Sequence, residues 1–105
     1  MKTLTALFTA ATLALTAGLA QADVRVDEIP QLVKDGKIKP LEDLNRIALD
    51  LHPGATITKT ELDNHFNGYE YEYEYEIELR DAKNVEWDVD IDASNGKVLK
   101  NKQDT

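Results

Sequence analysis

The side chains that could carry out nucleophilic or metal chemistry are few in this chain of 105 residues. It has no Cys, and Ser94, its one Ser, lies in an Asp-Ala-Ser-Asn-Gly stretch with the composition of a turn. His52 directly precedes Pro-Gly, where a His typically caps a helix, and His65 falls among carboxylates with which it would pair. The two His residues do not have the spacing of a zinc site. We therefore expect no enzymatic activity and no cofactor.

Carboxylates are the abundant reactive group, and three of them have a suggestive spacing. Asp88, Asp90 and Asp92 follow the Asp-x-Asp-x-Asp pattern with which an EF-hand loop begins. Such a loop needs Gly at its sixth position and Glu at its twelfth, where this chain has Ala93 and Leu99. In a strand, moreover, the three aspartates would stand in a row instead of surrounding an ion. We therefore reject an EF-hand.

Residues 69–79 alternate Tyr, Ile or Leu with Glu at every second position. Because successive side chains of a β-strand point to opposite faces, the pattern predicts a strand with one apolar and one acidic face. We favour a core role for the four tyrosines, beneath a helix, over an exposed aromatic binding platform. Carboxylates on two neighbouring predicted strands extend the acidic face, whose members are Glu61, Asp63, Glu70, Glu72, Glu74, Glu76, Glu78, Glu86, Asp88 and Asp90.

This acidic face has two open interpretations. In the first it is a solvated surface that keeps the protein soluble, because antiparallel sheets commonly leave one face in water. In the second it binds a basic partner or a divalent cation such as Ca²⁺, for which carboxylates are suitable oxygen ligands. Like charges opposite each other destabilise a sheet, so either ligand would raise its stability. The sequence does not say which residues, if any, would hold a metal.

One main helix and four strands are predicted around this stretch. Pro at position 40 suits the start of a helix, apolar residues follow it at helical spacing, and His-Pro-Gly at 52–54 ends it. The predicted elements are a short helix near 28–35, the main helix at 40–51, and strands at 55–66, 69–80, 85–92 and 97–100. They predict an α+β fold, in which the amphipathic helix packs on a curved antiparallel sheet of three to four strands.

The turns predict how the strands pair. Asn-Gly at 67–68 is typical of a two-residue type I′ hairpin. A bulge between Ile57 and Leu62 would then return Ile57 to the core. The register places these residues opposite each other: Phe66 and Tyr69, His65 and Glu70, Leu62 and Tyr73, Lys59 and Glu76, and, in the next hairpin, Leu79 and Val85.

The N-terminal segment, 1–22, has the features of a secretory signal peptide. Lys2 precedes an apolar run that extends to Leu19, and Ala-Gln-Ala at 20–22 forms a small-x-small cleavage site. The run is too short and too rich in Thr for a membrane span. We therefore expect export to a periplasm or the extracellular medium, with no membrane insertion after cleavage.

The remaining residues, 23–105, would form one small and strongly acidic domain. The whole chain has a net charge of −8, and loss of Lys2 with the signal peptide makes it −9. This charge argues against binding to nucleic acid or to an anionic membrane. Basic proteins and metal cations are the better candidate partners.

Three sequence features together resemble a PepSY domain. They are His-Pro-Gly-Ala at 52–55, the Tyr-x-Tyr-x-Ile-x-Leu strand, and Trp-Asp-Val-Asp-Ile-Asp-Ala-Ser-Asn-Gly-Lys-Val-Leu at 87–99. Asn95 stands where the family usually has Thr. The resemblance covers residues 40–100 and implies the α+β fold. Some PepSY modules belong to the propeptides of secreted metallopeptidases, and the family is thought to inhibit or regulate peptidases.

These observations give the following hypothesis. The chain comprises a signal peptide (1–22), an extension with a short helix (23–39), a PepSY-like domain (40–100) and a polar tail (101–105). The resemblance and the absence of catalytic groups together predict a non-enzymatic, secreted binding module that regulates or inhibits a peptidase. The acidic charge leaves another basic envelope protein open as the partner. The alternative is a binding protein that responds to divalent cations through the acidic face.

Overall fold

The computed structural model describes residues 22–104, so all but the last residue of the predicted signal peptide lies outside it. The helical part begins with a 3₁₀ turn, Val26–Glu28, and continues with α1, Ile29–Lys34, and α2, Leu41–Leu51. The strands are β1 (Ala22–Asp23), β2 (Thr56–Phe66), β3 (Tyr71–Arg80), β4 (Glu86–Asp92) and β5 (Val98–Gln103). Each predicted helix and strand is present, and the last strand extends to Gln103, past its expected end at Lys100.

The five strands form one antiparallel sheet in the order β1-β2-β3-β4-β5. Strands β2 to β5 form a simple meander, while β1 adds only two residues beside Asp63 and Asn64 of β2. The structure confirms the predicted α+β fold, with helix α2 on one face of an open sheet. The other face carries the charged side chains.

Helix α2 covers the centre of the sheet. Pro40 is its N-cap, two acidic residues favour the positive end of its dipole, and the helix ends at His52 before Pro-Gly. Its inward residues Leu44 and Ala48 are fully buried. They pack in one hydrophobic core with the following residues of the sheet and its turns: Leu62, Tyr75, Ile77, Leu79, Val89, Ile91 and Ala93.

The first hairpin differs from the prediction in its turn. Phe66 pairs with Tyr71, so the loop spans 67–70 instead of Asn-Gly alone. The Asn67 side-chain oxygen accepts hydrogen bonds from the backbone N–H groups of Tyr69 and Glu70 at 2.9 and 3.0 Å, which stabilises the longer loop. Only Gly68 of the Asn-Gly pair has a positive φ, of 106°, whereas a type I′ turn needs two. The predicted type I′ turn is therefore wrong.

The longer loop moves the register by two positions, which changes every predicted pair but keeps the side chains of the paired residues on their predicted faces. The corrected pairs are His65 with Glu72, Asp63 with Glu74, Leu62 with Tyr75, Glu61 with Glu76 and Lys59 with Glu78. The predicted bulge is present between Ile57 and Lys59, and it places Ile57 against the core.

The second hairpin is shifted in the same way, because Leu79 pairs with Trp87 and not with Val85. Asp81 explains the longer turn. Its carboxylate accepts hydrogen bonds from the backbone N–H groups of Lys83 and Val85, both at 2.9 Å, and from the Trp87 indole N–H at 3.0 Å. These donors, the Val85 N–H first, lower the pKa of Asp81 below its usual value.

Candidate functional site

The acidic face lies on the side of the sheet opposite helix α2. Strand alternation and the observed register place nine of the ten predicted carboxylates there, while Glu70 lies in the β2–β3 loop. The rows of this face differ from the predicted ones. One row runs from Glu61 through Glu76 and Asp90 to Lys100.

Basic residues offset more of this charge than the sequence suggested. In the predicted register only Lys59 and His65 lie opposite carboxylates of this face. In the structure Arg80 contacts Glu86 at 2.5 Å. Strand β5 adds two lysines to the face: Lys100 lies 3.9 Å from Asp90, and Lys102 pairs with Asp88 in the register.

The middle of the acidic face contains a shallow groove of about 120 Å³. It is bounded by a lysine at each side and brings together five of the predicted site residues. The lining residues are Lys59, Glu61, Glu76, Ile77, Glu78, Asp88, Asp90 and Lys100. Burial, more than the neighbouring charges, raises the pKa of Asp88 above its usual value.

Three carboxylates cluster at the β1 edge of this face. One oxygen from each of Asp23, Glu61 and Asp63 lies within 4.8 Å of the others. Asp63 is 4% exposed, and burial, followed by the neighbouring Glu76, raises its pKa to about 7. The adjoining Asp23 carboxyl raises the pKa of Glu61 to about 7 as well. Near neutral pH the folded state therefore favours a proton shared among these carboxylates.

Asp23 is the member of this cluster that the sequence did not reveal. Both helices separate it from Glu61 along the chain, and strand β1 places it opposite Asp63. Its own pKa is lowered, chiefly by the hydrogen bond with Glu61. No pattern in the sequence marks Ala-Asp at 22–23 as a strand.

The remaining predicted residues occupy two other places. Glu72 accepts hydrogen bonds from Asn67 Nδ2 at 2.9 Å and shares one with His65 Nε2 at 2.7 Å, and these contacts lower its pKa. The pairing of His65 with a carboxylate is thus confirmed, although the partner is Glu72 and not Glu70. Glu74 lies in the row between Asp63 and Asp92.

The apolar face of β3 divides into a buried and an exposed part. Tyr75 is 2% exposed and donates a hydrogen bond of 2.9 Å to Asn45 of α2. Tyr73 is partly buried against the core. Tyr71 and Tyr69 are 58% and 94% exposed. The predicted core role is confirmed for Tyr75 and in part for Tyr73, and it is wrong for Tyr69 and Tyr71.

The exposed tyrosines adjoin a cleft of about 650 Å³ at the β2–β3 end of the sheet. Phe66, which is 42% exposed, lies 5.4 Å from Tyr71 between ring centroids. The cleft is lined by Gly36, Lys37, Phe66, Tyr69, Glu70, Tyr71, Glu72, Tyr73, Asp92 and Ser94. We call this surface the aromatic cleft.

The residues with catalytic potential take part in structural contacts. The His52 ring lies 4.4 Å from the Trp87 ring, and its Nε2 is 2.8 Å from Asn101 Oδ1. Ser94 Oγ donates to Asp92 Oδ1 at 2.7 Å within its turn. His52 is the C-cap residue of α2, as expected, although its ring contacts β4 and β5, and Ser94 lies in the expected turn.

A small helix-on-sheet domain with an acidic face, an exposed aromatic cleft and structurally engaged His and Ser residues has the character of a binding or regulatory module. Comparison with protein families identifies it further. The chain belongs to the PepSY family, described as "Peptidase propeptide and YPEB domain", whose profile matches residues 38–102. No curated protein and no solved structure matches the chain in the corresponding comparisons.

Membership of this family has general implications. PepSY domains are generally non-catalytic propeptide or regulatory modules, they typically associate with peptidases, and they often occur in exported proteins. Within residues 22–104, neither helix is long and apolar enough to cross a membrane.

Proposed function

We propose that this protein is a non-enzymatic, exported PepSY module that regulates or inhibits a peptidase by direct contact. The observation that carries the proposal is that the PepSY domain occupies residues 38–102 of a 105-residue chain. The profile thus covers most of the residues that the structure describes. The signal-like N-terminus supports a periplasmic or extracellular location.

The charge of the protein favours a basic partner surface. The chain carries a net charge of −8, and nine predicted site carboxylates share one face of the sheet. Such a surface accelerates encounter with a positively charged partner and does so less at high salt. A peptidase regulated by this module should therefore present a basic region near its binding surface.

The test is a titration of exported peptidases, metallopeptidases among them, with the protein purified in its exported form. Residual peptidase activity and complex formation by surface plasmon resonance are measured at low and high salt. We expect a stoichiometric complex with altered peptidase activity and an association rate that falls with salt. Absence of both binding and activity change across the peptidases of the source envelope would refute the proposal.

Cation binding is the second candidate function, and the cluster of Asp23, Glu61 and Asp63 favours it. Asp63 is almost fully buried among other carboxylates, so a divalent cation there would replace an electrostatic penalty with attraction. The melting temperature in CaCl₂ is compared with that in NaCl at matched ionic strength. A melting temperature in CaCl₂ several degrees above that in NaCl supports a cation-binding site. Equal melting temperatures mean that the salts only screen the repulsion between carboxylates.

A further inference from the structure

The aromatic cleft is an apolar surface that the fold itself leaves uncovered. Phe66 and Tyr71 pair on the core-facing side of the sheet, yet these residues remain 42% and 58% exposed. Tyr69 is almost fully exposed beside them. Exposed groups of large aromatic side chains on a small acidic protein are typical of contact sites, because aromatic residues dominate binding energies at interfaces.

The shape of this surface suits side chains of a partner. Its volume of about 650 Å³ lies within the usual range of small-ligand pockets, about 300–1,000 Å³. Gly36 and Lys37 of the loop after α1, Asp92 at the end of β4 and Ser94 of the following turn also line it. The cleft thus combines aromatic with polar and charged residues.

The charges around the aromatic cleft indicate what it would accept. Three of its lining residues are acidic, Glu70, Glu72 and Asp92, against the single basic residue Lys37, and strand alternation directs Glu72 and Asp92 toward the adjoining acidic face. A Lys or Arg side chain of a ligand could contact these carboxylates and lie over the exposed faces of Tyr69 and Tyr71 by cation–π attraction.

The same charges disfavour a second copy of this chain as the occupant. A symmetric dimer through the cleft would bring the carboxylates of Glu70, Glu72 and Asp92 near their own copies. Both chains would also carry the net charge of −8. Anionic lipid is disfavoured for the same reason.

From these observations we propose that the aromatic cleft is the docking site for a basic segment of a partner protein, in which Lys or Arg residues alternate with apolar ones. This inference deepens the proposed function, on which it rests for the identity of the partner. Apolar side chains of the segment pack on the exposed surface of the contacting Phe66 and Tyr71 rings, and its cations contact Tyr69 and Glu70. The acidic face then contributes long-range attraction and not the principal contact.

The first experiment uses a defined probe and requires no peptidase. The ¹⁵N-labelled protein is titrated with an eight-residue peptide in which Lys alternates with Leu and Val, and with the same peptide carrying Glu in place of Lys. We expect amide shifts concentrated at residues 66–73, 36–37 and 92–94 with the Lys peptide and none with the Glu peptide. Shifts confined to the acidic face, or no binding of the Lys peptide, would overturn the proposal.

Variants then assign the binding energy to the cleft. Tyr71→Ala and Tyr69→Ala should each weaken binding of the Lys peptide about tenfold, the usual effect of a contact residue at the centre of an interface. Leu99→Ala, which truncates another exposed apolar side chain on β5, should leave the affinity unchanged. Tyr69 is 94% exposed, so its variant keeps the fold and remains informative if Tyr71→Ala destabilises the protein.

Two further outcomes separate this inference from its alternatives. If sedimentation shows a wild-type dimer that Tyr69→Ala converts to a monomer, the occupant is a second copy and the proposal is wrong. If a peptidase binds wild type and Tyr69→Ala equally well, the regulatory function stands and the docking site is wrong. If the Lys peptide binds at the cleft but no peptidase does, the docking site stands and the peptidase is the wrong partner.

Discussion

The substitution Asp63→Asn should make the protein more stable at pH 8 and leave its stability almost unchanged at pH 4. Asp63 is 4% exposed and adjoins the carboxylates of Asp23, Glu61 and Glu76. Asn has nearly the same shape but no charge, and its amide can donate a hydrogen bond to a neighbouring carboxylate. The variant therefore removes one of the repelling charges without creating a cavity.

The magnitude follows from the pKa of Asp63, which rises from 3.8 to about 7 on folding. The folded state then binds more protons than the unfolded state between about pH 4 and pH 7, so stability falls as the pH rises through this window. Three units at about 1.36 kcal/mol each give an upper limit of about 4 kcal/mol. Water at the sheet surface screens the charges, so we expect about 1–2 kcal/mol above pH 7.

The assay is urea denaturation of wild type and variant at pH 4, 6 and 8, followed by the fluorescence of the single Trp. Glu70→Gln, which removes one charge from the exposed β2–β3 loop, is the matched control and should show no comparable dependence on pH. If Asp63→Asn is destabilising at pH 8, the carboxylates are stabilised in their charged form and the account of this cluster is refuted.

Three further substitutions test the packing and the turns. Leu44→Ala should lower the free energy of unfolding, measured by denaturant titration, by about 2–5 kcal/mol, where a domain of this size has about 4–12 kcal/mol in all. Leu51 is 40% exposed, so Leu51→Ala should lower it far less. Tyr75→Phe should cost about 1 kcal/mol through loss of the hydrogen bond to Asn45, and no loss would contradict that bond. Asp81→Asn should lower the melting temperature at pH 7. Because folding lowers the pKa of Asp81, its stabilising effect is present above its unfolded-state pKa and is lost as the pH falls, so the two melting temperatures should converge in acid.

The strands and the main helix could be predicted because their signals are local. Alternation of Tyr and Glu defines β3 and the face of each of its side chains, and His-Pro-Gly ends α2 where the structure ends it. The register could not be predicted, because it depends on two side chains that cap their own turns. Asn67 and Asp81 each accept hydrogen bonds from backbone N–H groups, which stabilises the longer loops between β2 and β3 and between β3 and β4.

The exposure of Tyr69 and Tyr71 could have been predicted from the sequence, by comparing the length of helix α2 with the length of the apolar stripe. Helix α2 has 11 residues and is about 16 Å long, whereas the stripe from residue 69 to residue 79 extends about 33 Å. One helix cannot cover that stripe. The carboxylate cluster could not be predicted, because it depends on a contact between Asp23 and strand β2. Both helices lie between these two parts of the chain.

The order of the strands has a consequence for how the protein folds. Strands β2 to β5 are joined by short loops at 67–70, 81–85 and 93–97, so most sheet contacts are between neighbours in the chain and loop closure costs little entropy. We expect this meander to fold quickly, with no oxidation step because the chain has no Cys. Strand β1 is different, since the whole helical part of the chain separates it from β2 and its pairing brings carboxylates together. It should therefore join the sheet last and open first, and hydrogen exchange at Val24 should be faster than at Ile77.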